Sequence, residues 1–278
     1  MLRRSATSAD MDCVYPFGGI RASTFGVTLK LAKLGDGPEI FHTIQGEGIG
    51  VGCPAVFIRA TRCNLHCQWC DTDHTWNFEG TPWKHEKDAL PGYRKHRRSE
   101  VTFELESPDA ARRILDFGCS RTVITGGEPL LQQEAFLEMI ESIRRHDPGH
   151  FFEVETNGTR LPDEAFAAAV NQFNVSPKLA NSGISSALRV LPTVLRFFAG
   201  HPGAWFKFVV SQPKDLEEIQ DLCEAHAIPR ERMLWMPEGR TAADLDRHGA
   251  WLAEVCRDLN VRFCDRLHIR LWGDRRGV

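Results

Sequence analysis

The run Ala55-Val56-Phe57-Ile58-Arg59, followed closely by Cys63-Asn64-Leu65-His66-Cys67-Gln68-Trp69-Cys70, decides how this chain is read. A strand-like stretch leads straight into a loop with three cysteines. The thiols therefore stand at the carboxyl end of a strand, where parallel α/β sheets place their sites. Cysteine thiolates are the usual ligands of iron–sulfur clusters, and a four-iron cubane held by three of them keeps one iron open for a small molecule. Zinc, with His66 or His74 as a fourth ligand, suits the same spacing. Three cysteines merely packed in a core fit poorly beside the polar Asn64, Gln68, Asp71 and Asp73.

Outward from that loop, short β-rich runs alternate with helical patterns. Ser107-Pro108-Asp109 reads as N-cap, N1 and first-turn acid of a helix reaching Phe117 and stopped by Gly118. Further helices are expected over Gln132 to His146, Leu161 to Val170, Ile184 to Ala199, Pro213 to His226 and Thr241 to Asn260. Strands are expected at Arg121 to Thr125, Phe151 to Glu155, Phe173 to Ser176, Trp205 to Ser211, Arg232 to Met236 and Arg262 to Leu271. About six β/α steps imply a parallel sheet short of a full eight-fold barrel. The expected fold is α/β, an open partial (β/α)6 barrel with helices outside and ligand loops at the carboxyl ends of the strands.

Residues 25–278 read as a single domain of this kind, preceded by a flexible leader over residues 1–24. The span 77–106 breaks the rhythm as an insertion and carries the basic run Arg94-Lys95-His96-Arg97-Arg98, read as a solvated loop or a docking patch for an acidic electron donor. A formal net charge of -3 offers no electrostatic reason to expect nucleic acid. No apolar run of about 18 residues suggests a membrane span, and the opening MLRRSATSAD lacks the apolar centre of an export signal. Nine cysteines, an odd number, point to a reducing compartment, so the cytoplasm is the expected location. Outside the triplet, Cys13, Cys53, Cys119, Cys223, Cys256 and Cys264 suggest no shared site.

One β/α step after the cysteines comes Thr125-Gly126-Gly127-Glu128-Pro129. Two glycines permit close backbone approach, and a carboxylate accepts hydrogen bonds from an ammonium group. The C-x3-C-x2-C spacing with an aromatic before its last cysteine resembles the radical S-adenosylmethionine superfamily, and this segment resembles its GGEP motif. The resemblance implies a 4Fe-4S cluster on Cys63, Cys67 and Cys70, whose open iron holds the amino and carboxylate groups of S-adenosylmethionine.

The resemblance narrows upstream. Phe41-His42-Thr43-Ile44-Gln45-Gly46-Glu47-Gly48 looks like the TIQGEG motif of 7-carboxy-7-deazaguanine synthases. Cys70-Asp71-Thr72 is similar to that family's CDT, Glu155-Thr156-Asn157-Gly158 to its ETNG and Ser176-Pro177-Lys178 to its SPK. Arg266 to Gly273 resembles a C-terminal form of the family, so the likeness runs in order from about residue 38 to residue 273. It implies a lyase that converts 6-carboxy-5,6,7,8-tetrahydropterin to 7-carboxy-7-deazaguanine with loss of ammonia, in queuosine and 7-deazapurine biosynthesis. It also implies magnesium, held by Thr72, with Asp71 and Asp73 favouring a cation there.

By the same resemblance Ile44, Gln45, Gly46, Arg59, Thr125, Glu155 and His268 contact the substrate. Arg59 suits its carboxylate through a bidentate guanidinium pair. Trp69, Cys70, Asp71, Gly127, Glu128, Ser176, Pro177, Lys178, Met236, Pro237, Glu238 and Gly239 contact S-adenosylmethionine. No further catalytic side chain is assigned. The tail Asp274-Arg275-Arg276-Gly277-Val278 departs from members that end nearer the site. The expected partners are the small pterin, a flavodoxin- or ferredoxin-like electron donor and a second copy in a homodimer, with neither nucleic acid nor membrane. Two rivals stand beside this reading. A glycyl-radical-enzyme activase shares the cysteines but not TIQGEG or SPK, and a non-catalytic zinc module would retain zinc and show no iron–sulfur absorption.

Overall fold

In a computed structural model residues 26–278 are described; the leader expected over residues 1–24, with Cys13, lies outside them. Strands β1 (Thr28–Leu34), β2 (Gly37–Pro38) and β3 (Ile40–Ile44) precede β4 (Pro54–Ala60), which feeds the cysteine loop. Helix α1 (Arg98–Val101), β5 (Thr102–Glu106) and α2 (Ser107–Leu115) follow. Alternation then sets in with β6 (Arg121–Gly126), α3 (Gln133–Arg144), β7 (Phe151–Thr156), α4 (Glu164–Ala169) and β8 (Gln172–Val175). The chain continues through α5 (Ser186–Arg189), α6 (Pro192–Gly200), β9 (Ala204–Val210) and α7 (Lys214–His226). It closes with β10 (Met233–Pro237), α8 (Ala242–Asp258), β11 (Arg262–Phe263) and α9 (Leu267–Trp272).

Strands β4, β6, β7, β8, β9, β10 and β11 neighbour one another in that order and pair in parallel. Beyond β4 the sheet turns antiparallel, with β1 and β3 against β4 and β5 against β1. The short β11 stands at the far end, so the sheet stays open as the partial barrel expected from the β/α rhythm. Among the described residues no helix is long and apolar enough to cross a membrane.

The two-residue period of a strand sorts this sheet into two faces. Val56 and Ile58, Phe152 and Val154, Phe173 and Val175, and Phe206 and Phe208 join one buried cluster with the helices, including Phe136, Met139 and Ile140 of α3. The intervening positions point into the barrel: Arg59 on β4, Thr125 on β6, Glu155 on β7, Asn174 on β8, Lys207 on β9 and Met236 on β10 all line one cavity. Register places these positions side by side, Arg59 opposite Thr125 and Glu155 opposite Asn174. Helix packing on one face thus delivers a polar row on the other.

The structure corrects several expected elements. The last strand spans Arg262–Phe263 alone, and Leu267–Trp272 is helix instead of strand. As a strand, Leu267, Ile269 and Leu271 would share a face; in fact Ile269 is buried while Leu271 is 53% exposed, because buried Arg266 anchors the start of the turn. The single helix expected over Ile184 to Ala199 is two, since Pro192 cannot continue the first and begins the second. Ser107 is not the cap of α2: its hydroxyl donates to the carbonyls of Val27 and Ala135, and Glu106 precedes the helix.

Within the span read as an insertion, Thr102 to Glu106 pair with β1 over five residues as β5. The rest packs back on the cysteine loop. Buried Asp73 receives Lys87 Nζ at 2.8 Å and the Tyr93 hydroxyl at 2.6 Å, and faces His96 Nε2 at 2.9 Å. Much of the basic run is therefore committed: Lys95 donates to the Thr81 carbonyl and Arg98 lies over the Phe78 ring.

Candidate active site

The cavity at the carboxyl ends of the parallel strands has a volume of about 250 Å³. All three clustered cysteines line it, as do Trp69, Asp71 and Thr72 from the same loop. Ile44, Gln45 and Gly46 reach it from the loop after β3, and Arg59, Thr125, Gly127 and Glu155 from the strand ends. Ser176, Lys178, the Met236 to Gly239 segment and His268 complete the wall. Two expected residues do not line it, Glu128 and Pro177.

Glu128 is fully buried and turned inward: its carboxylate accepts the amides of Leu130 and Asn157 at 3.0 and 2.7 Å and the Thr156 hydroxyl at 2.9 Å. The GGEP-like segment is held by its backbone. Gly127 N donates to the Ala60 carbonyl and Glu128 N to that of Arg62, clamping the segment against the start of the cysteine loop. Side chains are excluded there, because a Cβ on Gly127 would lie 2.0 Å from the Arg62 carbonyl oxygen.

Around the thiols the donors are few and weak. Cys63 Sγ accepts the Leu65 amide at 3.4 Å and the Asn157 side-chain amide at 3.8 Å, and Cys70 Sγ lies 3.5 Å from the Thr72 hydroxyl. Burial pushes Cys67 up to about 12 and raises Cys63 and Cys70 as well. Such thiols give up their protons to a strongly positive centre, and iron is one. The two histidines considered as a fourth zinc ligand both have partners elsewhere. His66 stacks on Trp83 at 4.0 Å, His74 Nε2 faces Glu39 Oε2 at 3.2 Å, and no three His, Cys, Asp or Glu side chains among the described residues converge on a single ion. The residues fit an iron–sulfur cluster, which brings its own sulfides and bridges thiols set further apart.

Sequence reading passed over the charges that build the opposite wall. Glu47 is paired with Lys207 and accepts Arg266 Nε at 2.8 Å, while the other end of that guanidinium holds Asp71. Burial works to raise the Glu47 carboxyl, but Lys207 and Arg266 outweigh it and hold Glu47 well below the usual carboxylate range. The same balance leaves Asp71 at about 2, burial being overcome by Arg266. A signal for Lys207 was present, a lone lysine inside the apolar run Trp205-Phe206-Lys207-Phe208-Val209. Arg266 opens the C-terminal segment of the family resemblance, but nothing local marked Glu47 and Asp71 as its partners.

Gln45, read as a substrate contact, lines the cavity but is 1% exposed, and its amide donates to Glu153 Oε1 at 2.6 Å. Its Oε1 accepts the Glu47 amide at 3.0 Å, so the side chain shapes the loop while leaving backbone for a ligand. Of the two acids expected to favour a cation, Asp73 is bound into the insertion and Asp71 to Arg266. Thr72 lines the cavity beside Asp71, its hydroxyl 3.5 Å from Cys70 Sγ.

An open β/α barrel with three thiols after its first parallel strand defines the radical S-adenosylmethionine class, and residues 57–191 match the model of the Radical SAM superfamily. Among curated relatives, the 7-carboxy-7-deazaguanine synthase of Pyrobaculum aerophilum is 35% identical, the match covering 86% of this chain and 95% of that one. The enzyme of that name from Halobacterium salinarum is 32% identical over 86% and 93% of the two chains. In fold the chain is similar to the crystal structure of QueE from Escherichia coli, with a TM-score of 0.60 and 24% identity over 87% of this chain and 95% of that one. This chain belongs to the 7-carboxy-7-deazaguanine synthase family.

Proposed function

We propose that this chain is a radical S-adenosylmethionine lyase that converts 6-carboxy-5,6,7,8-tetrahydropterin to 7-carboxy-7-deazaguanine with loss of ammonia. The observation that carries the reading is the meeting, around one cavity, of the cysteine triplet with the TIQGEG, CDT, ETNG, SPK and C-terminal segments. Cys63, Cys67 and Cys70 would hold a 4Fe-4S cluster, Thr72 would hold magnesium, and S-adenosylmethionine would lie between the cluster loop and the wall formed by Ser176, Lys178 and Met236 to Gly239. Together these groups supply, when bound, a 5′-deoxyadenosyl radical able to take hydrogen from the pterin carbon that bears the carboxylate, and positive charge for the substrate oxygens.

The chain's own residues orient and shield. Trp69 Nε1 donates to the Asn181 carbonyl at 3.0 Å, which fixes the ring as a flat wall beside the cluster loop. Thr125 Oγ1 donates to Glu155 Oε2 at 2.7 Å, leaving Glu155 Oε1 toward Gln45 and the pterin donors. Backbone at Ile44 and Gly46 would read the pterin edge, and Arg59 its carboxylate. Reacting atoms must be held about 3 to 3.5 Å apart with competing hydrogen donors kept out, which a narrow cavity of fixed side chains achieves.

The finer assignments belong to the same proposal: a flavodoxin- or ferredoxin-like electron donor, a homodimer, a cytoplasmic location, and a single domain over residues 25–278. The test is anaerobic incubation of reduced, cluster-loaded protein with S-adenosylmethionine, magnesium and 6-carboxytetrahydropterin, with mass detection of the deazapurine. Product is expected; an intact cluster that cleaves S-adenosylmethionine without forming product would redirect the substrate assignment.

A further inference from the structure

Glu39 stands between β2 and β3 and lies against the cavity with 1% of its surface exposed. Three basic side chains converge on its carboxylate. Oε1 accepts Arg59 Nε at 2.9 Å, while Oε2 accepts Arg276 Nη2 at 2.5 Å and faces His74 Nε2 at 3.2 Å. These partners come from three parts of the chain: the end of β4, the turn after Thr72, and the tail beyond α9. Burial by itself would raise the Glu39 carboxyl, yet Arg59 and His74 hold it well below the usual range, so it is an anion in this setting.

Charge counting separates this corner from the rest of the cavity. On the other wall Lys207 and Arg266 face Glu47 and Asp71, two cations against two anions. Here Arg59 and Arg276 share one carboxylate, with the His74 imidazole beside it. Two guanidiniums face one carboxylate in this corner, with Asp71 and Glu155 the next anions toward Arg59, whose charge borders the cavity. Of the other cations on the cavity, Lys178 donates to Ser176 Oγ at 2.9 Å, and Arg275 lies on the exposed tail.

Geometry gives that charge a direction. Arg59 spends only its Nε on Glu39; its two terminal nitrogens have no protein acceptor among the described residues, and the residue lines the cavity. A guanidinium held through Nε presents its far edge as a ready two-pronged donor for a carboxylate. The same anion ties the tail across the pocket, since Arg276 also donates to the Lys33 carbonyl at 2.6 Å.

We propose that Glu39 is a positioning residue for recognition of the substrate carboxylate: it fixes the guanidinium of Arg59 and, through Arg276, holds the tail against the same corner. The inference rests on Arg59 as the carboxylate anchor of the proposed reaction. Glu39 itself touches no substrate. Its contribution is to make the pocket prefer a carboxylated pterin over one without that group.

The test is a pair of dissociation constants measured on protein loaded with cluster, S-adenosylmethionine and magnesium, in the absence of reductant. One ligand is 6-carboxytetrahydropterin and the other 6-hydroxymethyltetrahydropterin, which has a neutral hydroxymethyl in place of the carboxylate. Wild-type protein is expected to prefer the first. Glu39→Gln is expected to weaken the carboxylated ligand about tenfold, near 1.4 kcal/mol, and to leave the neutral one within about twofold. Glu39→Asp should recover part of the loss. Arg276→Ala, at a side chain 39% exposed, should weaken the carboxylated ligand about threefold and keeps the test open should the Glu39 variants fail to fold.

Equal weakening of both ligands, or none, would overturn the role. Tighter binding of the carboxylate in Glu39→Gln would also overturn it, marking Glu39 as a competitor for Arg59. A wild-type protein with no preference for the carboxylated pterin would overturn the functional reading and the inference with it. Preference retained in Glu39→Gln would overturn the inference alone.

Discussion

Glu47 and Arg266, 219 residues apart in the chain, meet at 2.8 Å in the wall of the cavity. Arg266 is 9% exposed at its side chain and Glu47 13%, and the guanidinium also holds Asp71 and donates to the Gly239 carbonyl at 2.7 Å. One cation thus joins the loop after β3, the cysteine loop and the segment after β10. Arg266→Met keeps the volume and removes the charge, leaving Asp71 without its partner while Lys207 still serves Glu47. The expected loss is about 3 kcal/mol of folding stability, the low end for breaking a buried pair, because Asp71 remains partly solvated. Urea denaturation checks it; a loss below about 1 kcal/mol would place the network in the weak class of solvent-screened pairs.

This pairing also marks where reading from sequence stopped. The parallel sheet, the cysteine loop and the TIQGEG, CDT and ETNG segments were legible because each is carried by consecutive residues in a strand or at its end. The partners of Glu47 were not, since Lys207 and Arg266 come near it only when the sheet curls. The alternating pattern from Arg262 to Leu271 looked like a strand, and the anchoring of Arg266 turned it into α9. Glu128 carried the right motif, yet its carboxylate serves the Asn157 loop, a choice set by partners on β7 that no local pattern reveals. Asp73 was read as a neighbour of magnesium for the same reason, its partners lying within residues 87–96.

Removal of one cluster ligand should separate assembly from folding. Cys67 is 6% exposed and its thiol has a neighbour of similar size in alanine, so Cys67→Ala is expected to fold with a loss of roughly 1 kcal/mol. Reconstituted anaerobically, it should bind much less iron, lack the broad visible absorption of the cluster, and show no cleavage of S-adenosylmethionine. Iron content measured beside a circular dichroism spectrum decides the matter. Full iron loading with undiminished cleavage would remove Cys67 from the ligand set.

A pH effect is expected well away from the cavity. His150 is 1% exposed, with Nε2 2.8 Å from the Thr122 hydroxyl and Nδ1 3.1 Å from Asp147. Burial lowers its pKa below the ordinary 6.5, outweighing the opposite pull of Asp147. The unfolded chain therefore takes up this proton first as pH falls, so the stability contributed by neutral His150 is complete above about 6.5 and declines below it. Urea midpoints at pH 7.5 and 5.5 should fall for wild type and fall less for His150→Gln. An equal or steeper fall in the variant would contradict the assignment.

Gly46 and His268 offer a test of how tightly the substrate end is built. A Cβ on Gly46 would stand 2.2 Å from His268 Nδ1 and 2.8 Å from Cγ of the same ring, so alanine there must displace the imidazole. The backbone amide of Leu267 donates to the Gly46 carbonyl at 2.9 Å, which keeps the two segments from simply moving apart. Gly46→Ala is expected to raise the dissociation constant for 6-carboxytetrahydropterin about tenfold. His268→Ala removes the ring that the new methyl strikes. If the clash is the cause, adding Gly46→Ala to His268→Ala should cost less than about 0.5 kcal/mol of further binding, a non-additivity expected only of residues in contact. Full additivity of the two changes would mean that Gly46 acts through its own backbone and not through His268, and the double variant is the measurement that separates them.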